Sequence, residues 1–149
     1  MTAARIAAGF DEYLSIGNVD AKRDWGYAGD FVEGIWKMIQ NDKPKDYLLA
    51  TGEEHSVKEF ATLAAKLTGF NLVWKGKKPN EYAIDKDTKK VIIKKNPNYC
   101  RPSDVSLLKG DSKEARNNLN WKPKVKFKNL VKIMVESDKK RALKGKILQ

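Results

Sequence analysis

Gly17-Asn18-Val19-Asp20-Ala21-Lys22-Arg23-Asp24-Trp25-Gly26-Tyr27-Ala28-Gly29-Asp30-Phe31-Val32 is the stretch on which the reading of this chain turns. A glycine-asparagine turn leads to an Arg-Asp-aromatic triplet, and the triplet runs into a helical pattern. Phe31, Val32, Ile35, Met38 and Ile39 recur at the 3.6-residue period and predict a helix over 29–41 with one apolar stripe. Asp30 falls in its first turn, where a carboxylate favours the N-terminal dipole. This order puts a guanidinium at the mouth of a site and ties its loop to the helix behind it.

Before the turn, residues 13–16 read as a short strand, and residues 1–8 as helical without an N-cap. After the helix, Pro44 breaks the chain, and Asp46-Tyr47-Leu48-Leu49-Ala50 predicts a buried strand ending at Thr51-Gly52. Ser56-Val57-Lys58-Glu59 is a capping box. It opens a helix to about Leu67 that buries Val57, Phe60, Ala61 and Ala64 and stops at Gly69. Residues 71–74 and Val91-Ile92-Ile93 predict strands, with a polar, turn-rich segment over 75–90 between them. Asp111 is expected to cap a short helix through Leu119. Trp121-Lys122-Pro123 then turns the chain into a last helix over 126–143, with Phe127, Leu130, Val131 and Met134 inward. The class is α/β, in an α+β-like lobe of three to five short strands and about four helices. No linker divides it, so residues 1–149 form one unit.

A length of 149 residues is enough for a core of its own, and 41% hydrophobic with 33% charged residues is an ordinary globular composition. Its apolar runs fall far short of the roughly 20 residues a bilayer span needs. The first ten residues lack the pattern of a signal peptide. Cys100 is alone, so no internal disulfide forms, which fits a reducing compartment and an expected cytoplasmic location. The net charge of +11 implies attraction to anions. Most of that excess is lysine dispersed along the chain and thickest over 75–78, 86–95 and 122–146, the pattern of a solvated surface.

His55 is the sole histidine and no serine or cysteine motif accompanies it, so no catalytic triad and no site of two or three His or Cys ligands is assigned. Its place before Ser56 reads as helix entry. No G-x-G-x-x-G or Walker sequence is present, and no residue is assigned to cofactor binding. Tyr82-Ala83-Ile84-Asp85-Lys86 matches Tyr-x-x-x-Lys, but roughly one such match is expected by chance in so lysine-rich a chain. It is read as a polar loop and rejected as a catalytic motif. Two arginines remain. Arg23 lies in the loop before the first main helix. Arg101 lies in Asn98-Tyr99-Cys100-Arg101-Pro102-Ser103-Asp104, where Pro102 biases it towards an extended backbone. Two planar guanidiniums suit a diphosphate, because each can donate two charge-assisted hydrogen bonds to phosphate oxygens. A structural pairing of Arg23 with Asp24 or Asp30 is the other reading of the same residues.

The order of these motifs over residues 4–143 resembles the C-terminal part of the GDP-mannose 4,6-dehydratases, of the extended short-chain dehydrogenase/reductase class. The segment 17–26 is the most specific element. Ala50-Thr51-Gly52 with Ser56-Val57, Arg101-Pro102-Ser103-Asp104-Val105, Leu107-Leu108-x-Gly110-Asp111 and Leu119-x-Trp121-Lys122-Pro123 follow at familiar spacings. The resemblance implies a C-terminal, substrate-binding portion of that fold, with the Rossmann lobe that holds NADP and the catalytic groups not included. It implies that Arg23 and Arg101 contact the nucleotide diphosphate or ribose and that Asp104 hydrogen-bonds hydroxyls, with Asn18 and Lys22 lining the same pocket. The implied partners are GDP-mannose or GDP, a separate NADP-binding lobe, and further copies in a homo-oligomer of the complete enzyme; no membrane is implied. The implied reaction oxidises the sugar at C4, removes water across C5 and C6 and returns hydride to C6, giving GDP-4-dehydro-6-deoxymannose, on the route to GDP-fucose.

Several positions depart from the pattern. Asn98 stands where Arg is common, Cys100 where Phe is common, Tyr27 where His is frequent and Asn120 where Gly is usual. Asp104 is one methylene shorter than the usual Glu. The resemblance also starts inside a helix, so the chain alone is expected to bind no NADP, to be inactive and to expose apolar surface meant for the absent lobe. The alternatives are a non-catalytic GDP-sugar-binding module and a basic nucleic-acid-binding domain. The latter is disfavoured because Phe31, Phe60 and Phe127 fall at inward positions rather than interleaving with arginines.

Overall fold

The computed structural model describes residues 1–10, 13–101, 105 and 107–144. Among them are five helices and six short strands, in the order α1 (Thr2–Ala7), β1 (Leu14–Ile16), β2 (Lys22–Arg23), α2 (Ala28–Ile39), β3 (His55–Ser56), α3 (Val57–Leu67), β4 (Leu72–Lys75), β5 (Tyr82–Asp85), β6 (Val91–Lys95), α4 (Lys113–Leu119) and α5 (Phe127–Leu143). The mixed α/β class is as the patterning predicts. The six strands exceed the expected three to five because β2 and β3 are two-residue strands too short to leave a period in the sequence.

The main sheet has the order β1-β6-β5-β4, with β1 parallel to β6 and the other pairs antiparallel. Segment 82–86, expected as a loop, contributes β5. Ala83 on this central strand is fully buried, and Asp85 closes the β5–β6 turn by accepting hydrogen bonds from the Thr88 amide and hydroxyl. The rejection of Tyr82 and Lys86 as a catalytic pair stands for a different reason. Tyr82 stands on β5 and Lys86 in the turn just past it, not one turn apart on a helix.

Three small cores hold the molecule. Ile6, Ala83, Ile92 and Ile93 join α1 to the sheet; Ala64, Phe127, Val131 and Val135 join α3 to α5; Ala115, Leu119 and Trp121 take in Met38 of α2. Burying one such isoleucine is worth about 1.5–3 kcal/mol. In α5 the inward position is Val135; Met134 is exposed.

Two expectations fail around α2. Its stripe is split: Phe31 and Met38 pack inward, while Val32, Ile35 and Ile39 face outward with Trp36. Residues 46–50 form no strand, and Leu48 is exposed. The periodicity is real in both, but no element among the described residues covers the outer face.

Candidate functional site

The Gly17–Asn18 turn sits against the segment that leads to Arg101. A Cβ on Gly17 would lie 2.5 Å from the Tyr99 carbonyl oxygen, so only glycine permits this approach. Asn18 accepts the Asp20 amide at 3.1 Å and closes the turn. The loop then caps the next helix. The Lys58 amide donates to the Val19 carbonyl at 2.8 Å and the Val57 amide to Ala21 at 3.0 Å. These are orphan donors of the first turn of α3, so the loop and the helix start are one unit.

Beyond it, β2 and β3 pair antiparallel, Lys22 with Ser56 and Arg23 with His55. On its other side Lys22 bridges in parallel to Leu107, and the Leu108 amide donates to the Lys22 carbonyl at 3.3 Å. Arg23 Nη1 donates to the Val105 and Lys22 carbonyls, each at 2.7 Å. The guanidinium therefore lies against the backbone of Val105. Val105 is four residues from Arg101, so the two Cα atoms are within about 14 Å.

Asp24 staples this arrangement. Its carboxylate accepts the Thr51 amide at 2.9 Å, the Thr51 hydroxyl, the Gly52 amide at 2.9 Å and the Gly110 amide at 3.3 Å. Burial pushes its pKa up, but the four donors outweigh burial and hold the carboxyl below its ordinary value. Gly110 has to be glycine here, since a Cβ would fall 2.3 Å from that of Ala50. Asp30 performs a parallel task. It is 5% exposed and accepts the Lys124 and Val125 amides at 2.9 Å each, while its own carbonyl accepts the Trp121 indole at 2.7 Å. The N-terminal dipole is thus not its main role.

Arg23 and Asp24 border a hollow of about 410 Å³ together with Phe31, Leu48, Leu108 and Lys109. A larger groove of about 490 Å³ runs between α3 and α5, walled by Trp74 and Phe127, but contains none of the expected residues. The hollow at Arg23 is preferred because a ligand there meets a positioned guanidinium.

Lys22 is exposed and pairs with Glu54 at 3.0 Å, so an anion would compete with that carboxylate. Arg101 is exposed, just past the short 3-10 turn Pro97–Tyr99. Asp104 lies outside the described residues. The loop carrying Asn18, Lys22 and Arg23 thus touches Tyr99, Val105 and Leu107, on either side of Arg101 in the chain. Asp24 as the staple was missed in the sequence, where it figured only as a partner for Arg23. Thr51-Gly52 and Gly110, both small and turn-forming, were its signal.

The family model for GDP-mannose 4,6 dehydratase matches residues 1–134. The chain belongs to that family. It is 47% identical over 137 residues to the GDP-mannose 4,6 dehydratase of Cricetulus griseus, covering 92% of this chain and 37% of that one. The human enzyme matches to the same extent, and GDP-mannose 4,6 dehydratase 1 of Arabidopsis thaliana is 44% identical over 97% of this chain and 35% of its own. The chain therefore spans little more than a third of these dehydratases. In fold it is similar to RMD from Pseudomonas aeruginosa, complexed with NADPH, at a TM-score of 0.71 and 16% identity over 93% of this chain and 40% of that one. It is likewise similar to UDP-glucose 4-epimerase from Thermotoga maritima, with UDP-glucose, at 0.67 and 22% over 93% and 38%. These likenesses show that the chain shares the fold of about two fifths of each of those proteins. No helix among the described residues is long and apolar enough to cross a membrane.

Proposed function

We propose that this chain is the GDP-sugar-binding portion of a GDP-mannose 4,6-dehydratase, which converts GDP-mannose to GDP-4-dehydro-6-deoxymannose when a cofactor-binding lobe completes it. The observation that carries this reading is the hold on Arg23. Its guanidinium is fixed by backbone carbonyls on a loop that Asp24 fastens to residues 51, 52 and 110. Such a preset fork loses little entropy on gripping a pyrophosphate. Arg101 approaches from the adjoining loop as the second fork, and Asp104 accepts ligand hydroxyls. Asn18 shapes the rim, and Lys22 adds positive charge once released from Glu54.

NADP belongs to the complete enzyme. This chain has no glycine-rich turn to hold its pyrophosphate, so no hydride step is assigned to its residues. Their work is to bind and orient the GDP-sugar, and the chain alone is inactive.

Calorimetric titration with GDP tests the reading. Saturable binding is expected, weakened more than tenfold by Arg23→Lys, which keeps the charge and loses the fork, and similarly by Arg101→Ala. Binding unchanged in both variants overturns it. RNA binding that falls steeply with salt, in the absence of GDP binding, would instead favour a nucleic-acid role.

A further inference from the structure

We propose that the groove between α3 and α5 is a second binding site, for a small anion that carries its charge on an apolar body. It is separate from the hollow at Arg23, since no residue lines both. The inference therefore does not rest on the nucleotide-sugar reading.

Size and lining come first. A volume of about 490 Å³ lies within the roughly 300–1,000 Å³ that small-molecule sites occupy. Glu59, Thr62, Leu63 and Lys66 line the groove at i, i+3, i+4 and i+7, so one stripe of α3 forms a wall. Most polar groups in the lining already have partners. The Trp74 indole donates to the Thr62 hydroxyl at 3.0 Å, and that hydroxyl donates to the Lys58 carbonyl at 2.7 Å. Glu59, the one carboxylate in the lining, accepts the Ser56 amide at 2.6 Å as half of the capping box. The surface left open to a ligand is chiefly the carbon of Leu63, Trp74 and Phe127.

Charge decides what fits there. Lys58 is engaged, with its ammonium 3.7 Å from Glu81 and 4.7 Å from the centre of the Trp74 ring. Lys66 and Lys128 also line the groove and are exposed, and among the described residues neither pairs with a carboxylate. Two uncompensated ammonium groups beside an apolar floor complement an anion whose remainder is apolar. Inorganic phosphate would gain nothing from that floor. Nucleic acid fits poorly too. Phe127 is 7% exposed, with His55 stacked on it at 3.7 Å, and Lys58 lies over Trp74, so the rings are walls and not platforms for stacked bases.

The probe is 1-anilinonaphthalene-8-sulfonate, with N-phenyl-1-naphthylamine as the same body without the charge. Binding to the full chain is followed by fluorescence titration and by amide chemical shifts. The outer face of α2 is apolar as well, so the measurements use an Ile35→Glu with Trp36→Glu background, which puts charge on that face. Expected are one saturable site, shifts confined to α3 and the start of α5, and about fivefold tighter binding of the sulfonate than of the uncharged amine. Lys66→Glu with Lys128→Glu should weaken the sulfonate about tenfold and leave the amine within about twofold. Lys66→Gln with Lys128→Gln should act in the same direction more mildly, and circular dichroism checks the fold of each variant. GDP should leave the probe in place. The proposal is overturned by an absence of saturable binding, by shifts outside the groove, by equal affinity for the two probes, by a sulfonate indifferent to both lysine variants, or by displacement with GDP.

Discussion

Asp24 sits next to the arginine that the sequence singles out, and its own role is the more heavily determined. Four donors from two distant segments converge on one carboxylate, so removing its charge loosens three loops together. Hydrogen bonds to a charged group are worth about 1.5–3 kcal/mol, and Asp24→Asn is expected to cost about 2 kcal/mol at pH 7 by urea denaturation. The folded pKa lies below the unfolded one. Its stabilisation is therefore complete above the unfolded value, near 3.9, and is lost as pH falls through the folded value. The gap between wild type and Asp24→Asn should accordingly shrink below about pH 4. A gap that persists undiminished at pH 3 would show that the carboxylate's charge is not what holds the loops.

At the level of elements, α3 shows how a local motif reaches the site. Ser56 Oγ accepts the Glu59 amide at 3.0 Å and Glu59 accepts the Ser56 amide at 2.6 Å, the reciprocal box predicted from the sequence. Ser56 also pairs with Lys22 in the β2–β3 ribbon, so the cap and the arginine loop share a residue. Ser56→Ala is expected to cost about 1 kcal/mol, with Ser56→Asp restoring most of it, measured by chemical denaturation. If the alanine variant is as stable as wild type, the box is ornamental. The expectation for α4 differs slightly from what forms: Asp111 accepts the Lys113 amide at 2.9 Å, but Ser112 occupies the cap position.

Taken as one body, the described residues form three small cores rather than a single large one, and α2 belongs to the core around Trp121. It packs chiefly on α4 around Trp121, while its other face meets solvent. Native-state hydrogen exchange should therefore find α2 opening at lower free energy than β5 and β6, with Ala83, Ile92 and Ile93 buried among them. Equal protection of α2 and the sheet would contradict this. The placement of the helices, the capping box, the inward faces of α3 and most of α5, and the arginines worth testing were all legible in the residues. Each depends on neighbours a few positions apart, and such chemistry is written locally. Periodicity also marked α2 and residues 46–50 as apolar, but an apolar stripe does not say what covers it. The β2–β3 ribbon, the strand at 82–85, the staple on Asp24 and the outward turn of Ile35 and Leu48 join or separate segments tens of residues apart. Those outcomes depend on which surfaces the folded chain brings into contact, and only the three-dimensional arrangement reveals them.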